Sequence, residues 1–133
     1  MKYATSSGKR KKAIARAVIR PGRGSIRING KSLETVEPLM AREKLREPLL
    51  IAGEVAAKTD ISVTVTGGGF MSQAEAARLA IAKAIVSFTK DKRLEKDFLD
   101  YDRHLLVADV RQREPRKPNA HGHARAKVQK SYR

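Results

Sequence analysis

Asp60-Ile61-Ser62-Val63-Thr64-Val65-Thr66-Gly67-Gly68-Gly69-Phe70-Met71-Ser72-Gln73-Ala74-Glu75 is the stretch in which the chain changes period. Up to Thr66 apolar and polar residues alternate. Ile61, Val63 and Val65 share one face and Ser62, Thr64 and Thr66 the other, the pattern of a strand with one buried side. Three glycines end it. Ser72 and Glu75 then have the S-x-x-E spacing of a capping box and predict a helix to about Thr89. Its buried side would carry Ala77, Ala80, Ile81, Ala84, Ile85 and Phe88, and small residues there let a helix sit close on a sheet.

Upstream, Ala13 to Arg20 alternates in the same way, with Ala13, Ala15, Ala17 and Ile19 on a packed face and Ile14, Arg16, Val18 and Arg20 on a basic one. Pro21, Gly22 and Gly24 break that run. Ser25 to Asn29 alternates again, Ile26 and Ile28 inward and Arg27 outward, and Asn29-Gly30 supplies a tight turn. The two runs read as an antiparallel hairpin. Pro38 marks a helix start, Leu39, Ala41, Leu45, Leu49 and Ala52 follow at helical spacing, and Gly53 is the stop, with Pro48 inside as a source of a kink. Downstream, a short helix is expected over Asp91 to Leu99. Leu105 to Val110 reads as a last buried strand, which would complete a strand–helix–strand unit. Beyond Val110 the pattern stops. Pro115, Pro118 and Gly122 interrupt it, and so few apolar residues cannot offset the ordering entropy, so the segment alone is expected to be disordered.

The charge is concentrated at the two ends. Residues 1–23 hold Lys2, Lys9, Arg10, Lys11, Lys12, Arg16, Arg20 and Arg23 and no acid, and residues 111–133 hold Arg111, Arg113, Arg116, Lys117, Arg125, Lys127, Lys130 and Arg133 against Glu114 alone. Of 29 basic and 14 acidic residues, 13 of each remain for residues 24–110, so the net +15 comes from the ends, +8 and +7. A neutral body of one domain with a basic arm at each end suits a protein that grips a polyanion. An anionic membrane would call for a basic amphipathic helix with Trp or Phe, and the chain has no Trp. Nucleic acid is the expected partner, with no membrane. RNA is favoured over DNA, because no helix carries a basic face suited to a major groove. No signal-peptide core follows Met1, and the absence of cysteine fits a reducing compartment and removes disulfides and thiolate zinc sites.

Other chemistry finds little support. The loop Gly67–Gly69 lacks the G-K-[ST] of a Walker loop and the G-x-G-x-x-G of a dinucleotide fold, which leaves an RNA phosphate contact or a plain tight connection. His121 and His123, with distant His104, make a poor metal set, and no metal or other cofactor is expected. The acids Asp91, Glu95, Asp97, Asp100 and Asp102 alternate with Lys90, Lys92, Arg93, Lys96 and Arg103, the pattern of a solvated face rather than of catalysis. No enzyme is expected. Tyr132 beside Arg133 offers a stacking surface at the end of the chain.

Gly67-Gly68-Gly69-Phe70-Met71-Ser72-Gln73-Ala74-Glu75-Ala76-Ala77-Arg78, with Lys83-Ala84-Ile85 further along the helix, resembles the signature of the ninth protein of the small ribosomal subunit. So do Asp109-Val110-Arg111-Gln112-Arg113-Glu114 and the closing Gly122-His123-Ala124-Arg125-Ala126-Lys127-Val128-Gln129-Lys130-Ser131-Tyr132-Arg133, whose end looks like the archaeal and eukaryotic branch. The resemblance runs from about Lys9 to the last residue. It implies an α+β fold, a two-layer α/β sandwich with a mixed four-stranded sheet, helices packed on it and a left-handed strand–helix–strand crossover. It also implies a globular RNA-binding body with a basic N-terminal arm over 1–110 and an extended basic C-terminal tail over 111–133.

By the same resemblance the body binds small-subunit rRNA in the subunit head, beside neighbouring ribosomal proteins, in the cytoplasmic ribosome. The tail would reach the anticodon arm of peptidyl-site tRNA. Carried over by position, Lys9, Arg10, Lys11, Lys12, Arg16, Arg20, Arg111, Arg113, Arg116, Lys117 and Arg125 would bind rRNA. Lys127, Lys130, Ser131, Tyr132 and Arg133 would lie near tRNA. The link Pro118-Asn119-Ala120-His121 departs from the more basic or glycine-rich link of many relatives. The rival reading is a free-standing nucleic-acid-binding protein using the same arms.

Overall fold

The computed structural model describes residues 2–125. Five strands form one mixed sheet: β1 (Ala4–Arg10), β2 (Ala13–Pro21), β3 (Ile26–Ile28), β4 (Lys31–Ser32) and β5 (Thr59–Thr66), in the order β1-β2-β5-β3-β4. Only β3 and β5 run parallel. Four helices accompany them: α1 (Leu39–Ala52), the single turn α2 (Glu54–Ala57), α3 (Phe70–Thr89) and α4 (Lys92–Tyr101).

The core is built from the alternation in the strands. Aligned rows on the inner face are Ala4, Ile19, Ile61 and Ile26, then Ser6, Ala17, Val63 and Ile28, then Gly8, Ala15 and Val65. Against them lies α3, buried along Ala76, Ala77, Ala80, Ile81, Ala84 and Ile85. The approach is close enough that a Cβ on Gly8 would stand 2.3 Å from the Ala76 carbonyl oxygen and 2.8 Å from the Ala80 nitrogen. Helix α1 adds Ala41, Leu45 and the buried Pro48, continues through that proline to Ala52, and stops at Gly53 with φ +59°. Asp91 caps α4 by accepting from the Arg93 N–H at 2.9 Å, and Leu94 and Phe98, four apart, bury one side of that charged helix.

The structure corrects several expectations. The sheet has five strands rather than four, the fifth being the two-residue edge strand β4. The runs Ala13–Arg20 and Ser25–Asn29 do not pair as a hairpin, because β5 lies between β2 and β3. The reversal is held from outside. The Asp60 carboxylate accepts from the backbone N–H of Arg23 at 2.9 Å and of Ser25 at 3.0 Å, and Gly22 N–H donates to the Lys58 carbonyl. Asn29-Gly30 is a tight turn, but it joins β3 to β4. The Asn29 side chain also prolongs the pairing, accepting from Val65 N–H at 2.8 Å.

The capping box does not form. Gly69 precedes the first turn of α3, Ser72 is already inside the helix, and Glu75 turns to Arg10. The strand expected over Leu105 to Val110 is absent. Leu105 closes a 3-10 turn (Arg103–Leu105) with its side chain in the core, whereas Val110 is 85% exposed. Leu105 is fully buried and Leu106 packs beside it, but the segment adds no strand to the sheet. The N-terminal basic arm is not an arm, since Ala4–Arg10 is the paired edge strand β1.

Candidate nucleic-acid interface

The helices cover one face of the sheet and leave the other open. Register places Thr5, Val18, Ser62 and Arg27 in one row of that open face, Ser7, Arg16 and Thr64 in the next, and Lys9, Ile14 and Thr66 in the third. Arg20 lies opposite Asp60 at the far end. All four cations of this face are exposed, and the hydroxyls of Thr5, Ser7, Ser62, Thr64 and Thr66 stand among them together with Ile14 and Val18. Its acid, Asp60, is occupied by the Ser25 and Arg23 N–H groups, which hold its carboxyl below the usual range. A surface of guanidinium, ammonium and hydroxyl donors matches phosphate oxygens and ribose hydroxyls rather than base edges.

At one end of this face Arg10 pairs with Ala13 across the two-residue turn Lys11-Lys12, with Lys11 at φ +53°. That turn backs onto the glycine loop. Gly67 (φ +78°) would bring a Cβ within 2.5 Å of the Lys12 carbonyl oxygen, and Gly68 (φ +67°) one within 3.1 Å of Ala13. The glycines are thus needed for a close backbone approach and a positive φ. The approach also places Lys11 and Lys12 beside the N-terminus of α3.

The site residues expected from sequence separate into groups. Lys9, Arg16 and Arg20 lie on the open face, joined by Arg27, which that set omitted although its outward position is legible in the Ser25–Asn29 alternation. Lys11 and Lys12 are exposed on the turn. Arg10 faces the other way. It sits on the helix side at 16% side-chain exposure, 2.7 Å from Glu75 Oε2 and 3.2 Å from Asp109 Oδ2. Arg111 is exposed but chelates Asp109. Arg113, Arg116 and Lys117 are exposed, and Arg125 is ion-paired with Glu114. Turns closed by His123 N–H to Ala120 and Lys117 N–H to His123 shape residues 117–123. Lys127, Lys130, Ser131, Tyr132 and Arg133 lie outside the described residues.

A second charge cluster was not legible beforehand. Arg78 of α3, 8% exposed, lies 2.6 Å from Glu47 of α1 and 3.0 Å from Asp102, the residue after α4. Burial pushes the Asp102 carboxyl up, but the His104 N–H and Arg78 outweigh it and leave it lowered. This cluster joins three helices under the surface and does not belong to the interface.

A model of the family described as ribosomal protein S9/S16 matches residues 8–133. The chain belongs to the ribosomal protein S9 family. It is 50% identical to the small ribosomal subunit protein uS9 of Methanothrix thermoacetophila over 133 residues, covering 100% of both chains. It is also 50% identical, again over 100% of each chain, to the uS9 proteins of Methanococcus maripaludis strains C7 and C5. The S9 signature now has a physical content. Gly67 and Gly68 admit the β1–β2 turn, Gln73 Nε2 donates to the Gly67 carbonyl at 3.0 Å, and Lys83 Nζ donates to the Ser7 carbonyl of edge strand β1 at 3.1 Å.

Proposed function

We propose that this S9-family protein is a structural, non-catalytic component of the small ribosomal subunit in the cytoplasm. Its globular body, residues 1–110, docks on rRNA in the subunit head beside neighbouring ribosomal proteins. Its tail, residues 111–133, extends toward peptidyl-site tRNA. The observation that carries the rRNA reading is the open sheet face, where Lys9, Arg16, Arg20 and Arg27 stand among hydroxyls and continue into Lys11 and Lys12. Arg113, Arg116 and Lys117 extend the same charge along the tail, and Arg111 and Arg125 keep exposed guanidiniums beside their carboxylate partners. Lys127, Lys130, Ser131, Tyr132 and Arg133 are the tRNA-proximal group in this reading. A left-handed sense for the β3–α1–β5 crossover belongs to it as well.

Sedimentation of the tagged protein from native lysate, repeated after a high-salt wash, tests the assignment. Co-migration with small subunits that survives the wash is expected. Release at moderate salt, or a pool confined to light fractions, would point instead to a free-standing nucleic-acid-binding protein. Lys130→Ala and Arg133→Ala should weaken tRNA retention on assembled subunits without loss of the subunits themselves.

A further inference from the structure

The two basic ends of the chain meet at one carboxylate. Asp109 lies outside every helix and strand and between the exposed residues Ala108 and Val110, yet its side chain is only 15% exposed. Arg10 Nη1 stands 3.2 Å from its Oδ2. Arg111 donates from Nε to both oxygens at 3.0 Å, from Nη2 to Oδ2 at 2.7 Å, and from its backbone N–H to Oδ1 at 3.0 Å. Arg10 is itself held by Glu75 of α3, to which its Nε donates at 2.7 Å. Three residues further on, Gln112 Nε2 donates to the Lys11 carbonyl in the β1–β2 turn at 3.2 Å. Leu105 is the last fully buried member of the hydrophobic core among the described residues. Leu105 and the partly buried Leu106 precede the tail root, whose own links to the body, through Asp109 and Gln112, are polar; Ala120, further along, is buried.

A carboxylate is the wrong charge in a segment that approaches phosphate, and it is tolerated where cations neutralise it. Asp109 meets that condition with one guanidinium from the body and one from the tail. The Arg10 contact is an ion pair rather than a hydrogen bond, since Nη1 finds no hydrogen-bond partner among the described residues; it holds Asp109 in place by charge, with the Arg10 guanidinium itself hydrogen-bonded to Glu75 on α3.

We propose that Asp109, acting through Arg10, is a positioning residue that sets the point at which the tail leaves the body. The benefit of a fixed exit point rests on the tail's proposed reach toward tRNA; the link between Asp109 and Arg10 does not. A chain whose root is held searches less space before its far end binds, which lowers the entropic cost of ordering it.

The chain has no cysteine, so Ser87→Cys on α3 and Lys117→Cys in the tail can carry a nitroxide pair on the full-length protein. Pulsed electron resonance should show one narrow distance peak for this pair. Adding Asp109→Asn should abolish the peak, since a freed segment from Val110 to Lys117 explores a span of roughly 15 Å. Asp109→Glu should restore it in part, and the melting temperature should be the same in all three proteins. A narrow peak that persists in Asp109→Asn would overturn the proposal, as would a melting temperature that falls in step with the broadening, which would mark Asp109 as a general stability residue. Small subunits carrying Asp109→Asn should also bind peptidyl-site tRNA more weakly. A broadened distribution with unchanged tRNA affinity would leave the positioning role standing and count against the tail's reach.

Discussion

Residues 1–23 and residues 111–125 carry the same kind of charge and almost no acid, yet they are held in different ways. The first is a hairpin edge of the sheet. Its inner residues, from Ala4 through Gly8 to Ala17 and Ile19, are packed under α3, and its cations project from a backbone that is already paired. The second has no strand or helix and is joined to the body by Asp109, Arg111 and Gln112. Composition cannot tell these apart, because charge sits on side chains and the difference lies in what the intervening residues can bury. Between the cations of the first segment lie alanine, isoleucine and glycine at alternate positions. Between those of the second lie Pro115, Pro118 and glutamine.

The contrast can be broken most severely at Gly8. Gly8→Ala forces a methyl group into the backbone of α3 and should destabilise the protein by about 3 kcal/mol, measured by chemical denaturation. An alanine that costs nothing would mean that β1 is no more firmly held than the tail. Gly67→Ala comes next, since it combines a positive φ with a clash on the Lys12 carbonyl, and a loss of about 2 kcal/mol is expected. On the binding side, Arg16→Ala and Arg113→Ala should each flatten the salt dependence of rRNA affinity by about 0.7 to 0.9 in log–log slope. Neither should change the melting temperature, because both side chains are exposed. If Arg16→Ala alone lowered stability, the open face would have a structural role.

Acid titration sharpens the comparison further. The folded-state carboxyls of Asp60 and Asp102 are held below the ordinary range, so the stability they confer is present above it and is lost as the pH falls through their folded values. The melting temperature should hold from neutrality down to about pH 4 and decline below that. The smallest effect belongs to the tail. The Glu114 carboxyl is lowered by Arg125, but the pair is exposed, and Arg125→Ala should leave the melting temperature unchanged.

Much of the fold could be read before any coordinates. Alternation identified β2, β3 and β5, and helical spacing identified α1 and α3, because those patterns state which side of each element is buried; α4 was expected only as a short helix over Asp91 to Leu99. The basic face of β2 followed from the same alternation. Strand β1 was missed because Ser6, Ser7 and Gly8 carry little hydrophobic signal; a strand there makes sense only with α3 resting on the glycine. The strand expected over Leu105 to Val110 failed for the opposite reason, since an apolar run without a partner strand remains a turn, here with Leu105 fully buried and Leu106 packed beside it. Ser72 and Glu75 had the right spacing for a cap, but Glu75 found a stronger partner in Arg10.

Sequence alone therefore determined the local periods, the location of the charge and the family, since each is written in adjacent residues. Tertiary structure decided the strand order, the insertion of β5 between β2 and β3, and the orientation of the cations. Arg10 and Arg16 are equally basic in the sequence. Their neighbours in space, Glu75 and Asp109 for one and the exposed hydroxyls of Ser7 and Thr64 for the other, make Arg10 an internal tie and leave Arg16 open to phosphate.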